Sequence, residues 1–165
     1  MTDTVGPALE SLLEEARLAL LACERPAGLV TLAPGNTVVW DNCCDSDEGN
    51  GELWTRLISI VPQPQPSQPC DITDLQARVG VGVVRCMHGL NDDGDPPTAE
   101  EMTEDTLGMT QDAAILLNAI REWEGTRFVN LKSLKVESGL PQGPSGYCGG
   151  FEWTLTFRVG LCGGC

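Results

Sequence analysis

The sequence predicts an α+β fold from two alternating strands and one capped helix. Phe151, Trp153, Leu155, Phe157 and Val159 alternate with Glu152, Thr154, Thr156 and Arg158. Leu75, Ala77, Val79, Val81 and Val83 alternate with Gln76, Arg78, Gly80 and Gly82. A period of two places every second side chain on one face, the signature of a half-buried strand. Between them, Thr98-Ala-Glu-Glu101 is a capping box, in which threonine and glutamate satisfy each other's orphan amides at a helix start.

The first element is a helix. Gly6-Pro7 precedes Ala8, Leu9, Leu12, Leu13, Ala16, Ala19 and Leu20, which have helical spacing, and proline in a first turn loses no hydrogen bond. It stops before Pro26, because the residue ahead of a proline disfavours helical backbone. Residues 29–33 and 37–41 flank Pro34-Gly35-Asn36, a turn signal that predicts a short hairpin. Residues 41–52 are acidic and glycine-rich, and read as an exposed loop. Residues 53–61 form a strand that ends at Pro62, Pro64, Pro66 and Pro69, an extended connector expected to serve as a crossover loop. The strand from Leu75 changes apolar phase at Val83-Val84, which predicts a bulge or a strong bend.

Met102, Met109, Ala113, Leu116, Leu117, Ile120 and Trp123 form the stripe of the capped helix. Gly108 costs about 1 kcal/mol relative to alanine there, and Thr110 offers a second cap, so the expectation is two collinear segments or one kinked helix. Residues 127–137 and 151–161 complete the strands. They are joined by residues 138–150, a glycine-rich loop read as a contact arm carrying Tyr147 and Cys148. The order is helix, four strands, helix, two strands, in a single domain over residues 1–165 with exposed loops at 41–52 and 138–150.

Charge and cysteine content narrow the function classes. Ten basic against twenty-four acidic side chains give a formal charge of −14, which opposes contact with phosphate backbones and argues against a DNA-binding module. No apolar run approaches the roughly 20 residues that span a bilayer. Residues 1–4 carry no basic region ahead of an apolar stretch, so the expected compartment is the cytoplasm. The eight cysteines are Cys23, Cys43, Cys44, Cys70, Cys86, Cys148, Cys162 and Cys165. In a reducing cytoplasm they are expected to behave as small apolar residues, with accessible thiols such as Cys148 oxidising only after release from the cell. Cys162-Gly-Gly-Cys165 has ligand-like spacing, but its partner pair, Cys43-Cys44, is adjacent rather than spaced, so no metal is expected.

Little else suggests chemistry. Asp45-Ser-Asp47-Glu-Gly49 is similar to the start of a calcium loop, yet Trp54, Thr55 and Arg56 stand where its closing glutamate belongs. His88 with Cys148 would make a nucleophile pair, but no motif joins them. Asp92, Asp93 and Asp95 read as turn aspartates. No catalytic residue, cofactor or metal is therefore assigned, and surfaces are expected to do the work. Trp54 and Arg56 share one strand face and are of types enriched at interface hot spots, which marks them as interface candidates.

Four strings carry a resemblance: Val38-Val-Trp-Asp-Asn-Cys-Cys44, Gly51-Glu-Leu-Trp-Thr-Arg-Leu57, Val81-Gly-Val-Val-Arg-Cys86 and Gly146-Tyr-Cys-Gly-Gly-Phe-Glu-Trp-Thr-Leu-Thr-Phe157. In this order, across nearly the whole chain, they resemble the tail terminator or head-to-tail connector proteins of long-tailed phages that infect actinobacteria. The resemblance implies a mixed, mostly antiparallel sheet packed against two main helices. It also implies a homohexameric ring in the virion neck, assembled in the host cytoplasm, between the tail tube protein and the head connector or stopper. DNA would pass without specific binding through a lumen lined by some of Asp45, Asp47, Glu48, Asp92, Asp93 and Asp95. The competing classes are a stopper or minor tail protein, and a small cytoplasmic cysteine enzyme.

Overall fold

The stripe from Ala8 to Leu20 builds α1 (Val5–Ala22), whose Val5, Ala8, Leu9, Leu12, Leu13, Ala16 and Leu20 are buried. Its end is a hydrogen-bonded C-terminal turn. Arg25 N–H reaches back to the Leu20 carbonyl at 2.9 Å and Glu24 N–H to that of Leu21 at 3.0 Å. Glu24 takes the left-handed position, φ 57°, that glycine usually holds, and Pro26 follows. The computed structural model describes residues 5–35, 43–44, 51–63, 74–91, 93–125 and 129–160.

Among the described residues, five strands follow in one mixed sheet: β1 (Leu29–Ala33), β2 (Glu52–Gln63), β3 (Asp74–Cys86), β4 (Val129–Ser145) and β5 (Cys148–Val159), in the order β1-β2-β3-β5-β4. Only β1 and β2 run parallel. The α+β architecture is as expected, with two corrections. β1 pairs in parallel with β2 from Leu29↔Glu52 to Ala33↔Arg56; the expected hairpin partner at 37–41, with Trp40, lies outside the described residues. First, the proline-rich segment joins two adjacent antiparallel strands, so it is no crossover. Second, residues 138–150 are not a loop. They form the end of β4, a two-residue turn at Gly146-Tyr147 and the start of β5, with Ser145 paired to Cys148. Gly146 supplies φ +61° at the first turn position, where such hairpins need left-handed backbone. Of the other proposed loop, 41–52, the described Cys43, Gly51 and Glu52 are buried and Cys44 is exposed.

The capping box opens α2 (Ala99–Glu122): Glu101 N–H donates to Thr98 Oγ1 at 3.2 Å, and Thr98 N–H donates to the Glu101 carboxylate at 2.7 Å. The helix runs unbroken through Gly108, so of the two expected forms it is one helix and not two collinear segments. Thr110 Oγ1 donates to the Leu107 carbonyl inside the helix instead of capping a new one. Arg25 offsets the weak position by donating to the Gly108 carbonyl at 3.1 Å.

One face of the sheet packs against both helices. Val79, Val81, Val83, Leu155 and Phe157 meet Leu12, Leu20, Leu116 and Ile120 there, and Trp123 lies edge-on to Phe157 at 5.4 Å. A smaller cluster of Cys43, Trp54, Val84 and Cys148 lies apart from this core. The phase change at Val83-Val84 follows from that division. Register runs without a shift through both residues, and the irregularity falls in β2 between Leu57 and Ser59. Val83 serves the helix-side core and Val84 the opposite face, because this end of the sheet is covered on both sides.

Gly80 and Gly82 also have a packing reason. Trp54 and Glu152 are both register partners of Gly82, and a Cβ there would stand 2.7 Å from Trp54 Cε2 and 2.9 Å from the Phe151 carbonyl oxygen. Side chains from β2 and β5 therefore meet across a central strand that presents none at Gly80 and Gly82. Gly82→Ala is expected to lower stability by about 1–3 kcal/mol through overpacking, read as a lower urea midpoint. An unchanged midpoint would mean that Trp54 yields without cost.

Candidate functional site

Glu152 sits at the centre of the face turned away from the helices, 5% exposed. Its Oε2 accepts from Trp54 Nε1 at 2.8 Å and Arg56 Nε at 2.8 Å, and Oε1 accepts from Arg56 Nη2 at 2.7 Å. Alternation in β2 puts Trp54 and Arg56 on one face, and the bare Gly80 and Gly82 of β3 let them reach β5. The hydrogen bonds that Arg56 donates to Glu152 raise the Arg56 pKa, against the opposing effect of burial. Both carboxylate oxygens are engaged, so the group ties β2 to β5 across the intervening β3. This corrects the interface assignment of Trp54 and Arg56: Trp54 is fully buried and the Arg56 side chain is 14% exposed, both within one subunit.

A second buried carboxylate, Asp112 of α2, joins two guanidinium groups. Arg25 Nε and Nη2 donate to its Oδ1 and Oδ2 at 2.6 and 2.9 Å, and Arg85 Nε donates to Oδ2 at 3.0 Å. Arg85 also donates to the carbonyls of Pro26 and Arg25, both at 2.7 Å. The turn that ends α1 thus presents Arg25, the last residues of β3 present Arg85, and one aspartate locks both to α2. The Asp112 hydrogen bond raises the Arg25 pKa. Sequence reasoning missed this cluster, since the three residues are separated by 60 and 27 positions and no local pattern links them.

Just beyond Arg85, four cysteines meet. Cys43 is bonded to Cys148 and Cys44 to Cys86. Cys86 and Cys148 are themselves opposite one another on β3 and β5. This corrects the expectation of reduced apolar cysteines and of an accessible Cys148, which is buried and disulfide-bonded. Adjacent Cys43 and Cys44 clamp both strand ends because the β3–β5 register brings their partners side by side.

Tyr147 is 53% exposed, and its ring lies over Gly89 while its hydroxyl donates to the Leu90 carbonyl at 3.4 Å. It remains an interface candidate. His88 Nδ1 lies 3.0 Å from Asp105 Oδ1, and the His88 amide donates to Asp105 Oδ2 at 3.0 Å. That hydrogen bond, reinforced by the charges of Asp105, Glu101 and Glu104, raises the imidazole pKa above its ordinary value. The contact therefore stabilises the fold fully below the ordinary histidine value, and the stabilisation is lost as pH rises through the higher folded value. An NMR titration is expected to place the His88 midpoint above that of a model peptide, and Asp105→Asn to lower it. Coincident midpoints in both proteins would refute the coupling.

Of the six lumen candidates, Asp45, Asp47, Glu48 and Asp92 lie outside the described residues. Asp93 and Asp95 are exposed in a turn organised by Asn91, whose Oδ1 accepts from the amides of both, at 3.0 and 2.8 Å. Cys162 and Cys165 also lie outside the description. Among the described residues no helix is long and apolar enough to cross a membrane. No family model and no curated protein matches the chain.

Proposed function

We propose that the chain is a structural virion protein of a long-tailed phage, a tail terminator that forms a ring on the tail tube and joins it to the head connector. The observation that carries the reading is β4. It is a 17-residue strand at the sheet edge, and Leu131, Val136 and Leu140 along it and Tyr147 at its turn are exposed. A long edge strand with exposed apolar side chains favours pairing with another chain. When such a surface meets a different surface of an identical copy, repetition closes a ring if the rotation allows. The buried polar groups described above are engaged in holding strands and helices together, consistent with a protein that works through its outside. A formal charge of −14 suits a lumen wall that repels duplex DNA and lets it pass.

Negative-stain microscopy at high protein concentration, with and without finished tail tubes, tests the proposal. Six-fold annuli with a pore wide enough for duplex DNA are expected, free or seated on tube ends. Val136→Lys with Leu140→Lys is expected to abolish them while leaving the circular dichroism spectrum unchanged. A protein that stays monomeric and ignores tail tubes overturns the reading, and one that binds only a head connector points to a stopper.

A further inference from the structure

We propose that, in the reduced protein, Cys43, Cys44, Cys86 and Cys148 form a tetrathiolate site for one divalent metal ion of the zinc type. The observation is convergence of four sulfurs from three separate parts of the chain. Cys86 and Cys148 face each other at the end of the β3–β5 ladder. Cys43 and Cys44 are joined to them one each, with Cα–Cα separations of 5.8 Å for Cys43–Cys148 and 4.6 Å for Cys44–Cys86. The two adjacent cysteines complete the set, their Sγ atoms 3.5 Å apart. In a tetrahedral zinc site, bonds of about 2.3 Å place sulfurs about 3.8 Å from one another, so the Cys43–Cys44 spacing already approaches that of two ligands.

Pairing in two disulfides removes the sulfurs as ligands, and in that form no group of three or more metal-binding side chains occurs among the described residues. Reduction restores four donors in one place. Four thiolates so close repel each other unless a cation neutralises them, and a soft-ligand set of this kind selects zinc over calcium or magnesium. The site is half open. Cys43 and Cys148 are buried, which shields the metal, whereas Cys44 and Cys86 are exposed and give reductant and metal a path. Metal would also hold Cys43 and Cys44 to the sheet end in a reducing compartment, where disulfides do not persist.

The two forms interconvert by a balanced exchange with a low-molecular-weight disulfide such as oxidised glutathione. Four metal-bound thiolates lose four electrons and form two S–S bonds, Cys43–Cys148 and Cys44–Cys86. Two molecules of the small disulfide take up those electrons with four protons and become four thiols, and the metal leaves as the dication.

The test uses the full chain, purified without oxygen in a phosphine reductant, loaded with zinc or cobalt(II) and dialysed. A single metal ion per chain is expected by elemental analysis, with cobalt showing thiolate charge-transfer and tetrahedral ligand-field bands. Oxidised glutathione is expected to release the metal as four thiols disappear. Cys86→Ser should lose the cobalt spectrum, and Cys23→Ser and Cys162→Ser with Cys165→Ser should keep it. Because a cysteine variant can simply misfold, alkylation mapping of the unmutated protein provides the second reading. Zinc should protect Cys43, Cys44, Cys86 and Cys148 and leave other thiols reactive. Reduced protein that retains no metal, or metal that protects a different set of cysteines, overturns the proposal.

Discussion

Glu152→Ala is expected to destabilise the protein by about 3–5 kcal/mol, the cost typical of breaking a buried ion pair by removing one partner. The carboxylate is 5% exposed, accepts three hydrogen bonds, and holds a guanidinium and an indole N–H that are themselves removed from solvent. Losing it leaves a buried positive charge incompletely compensated and deprives the indole of this acceptor, beside Gly80 and Gly82 of β3, which offer no side chain in its place. Glu152→Gln separates the contributions. It keeps the shape and one acceptor oxygen but not the charge, so about half the loss is expected, because hydrogen bonds to charged groups are worth roughly twice neutral ones. Urea unfolding followed by far-ultraviolet circular dichroism measures both. A loss below about 1 kcal/mol for alanine would mean that water reaches Arg56 and takes over the role, at odds with a structural carboxylate.

Asp112→Ala is expected to lower stability by about 3 kcal/mol, at the lower end of the same range. Asp112 is 1% exposed, but its partners Arg25 and Arg85 retain 25% and 18% side-chain exposure and can rehydrate in part. Their bonds to the carbonyls of Gly108, Pro26 and Arg25 also persist. The loss should be local in origin, since the aspartate joins the turn after α1, the end of β3 and the middle of α2. Hydrogen exchange is expected to quicken most at the Arg25 and Glu24 amides, which close the end of α1. A double-mutant cycle of Arg25→Ala with Asp112→Ala should give a coupling energy of about 1–3 kcal/mol. Additive effects would instead assign the cost to the Arg85 arm.

The proposed assembly and these two clusters are linked by geometry. Trp54 and Arg56, the residue types that most often anchor interfaces, are used up inside the subunit, so in the proposed ring contacts between copies would fall to the β4 edge and Tyr147. Variants of Trp54 or Arg56 would therefore change folding before association, whereas substitutions at Val136 or Leu140 act on association with little effect on the fold.

What the sequence determined by itself is what its local periodicity encodes. The stripe from Ala8 to Leu20, the Thr98–Glu101 box and the alternation along β3 and β5 each depend on residues within a few positions of one another, and each stands in the structure as read. The sharing of a face by Trp54 and Arg56 was likewise legible. Whether that face meets solvent or a partner was not, because the answer depends on Glu152 arriving from β5, 96 positions beyond Arg56. The one sequence signal for it was the alternation of Gly80 and Gly82 with valines, which marks a strand face that larger neighbours must cover. Only the tertiary structure decided that β1 runs parallel to β2, that residues 138–150 are a hairpin, and that Cys43 and Cys44 meet Cys148 and Cys86. Strand order and register bring those groups together, and these are set by the joint burial of distant apolar faces, which no local window of sequence contains.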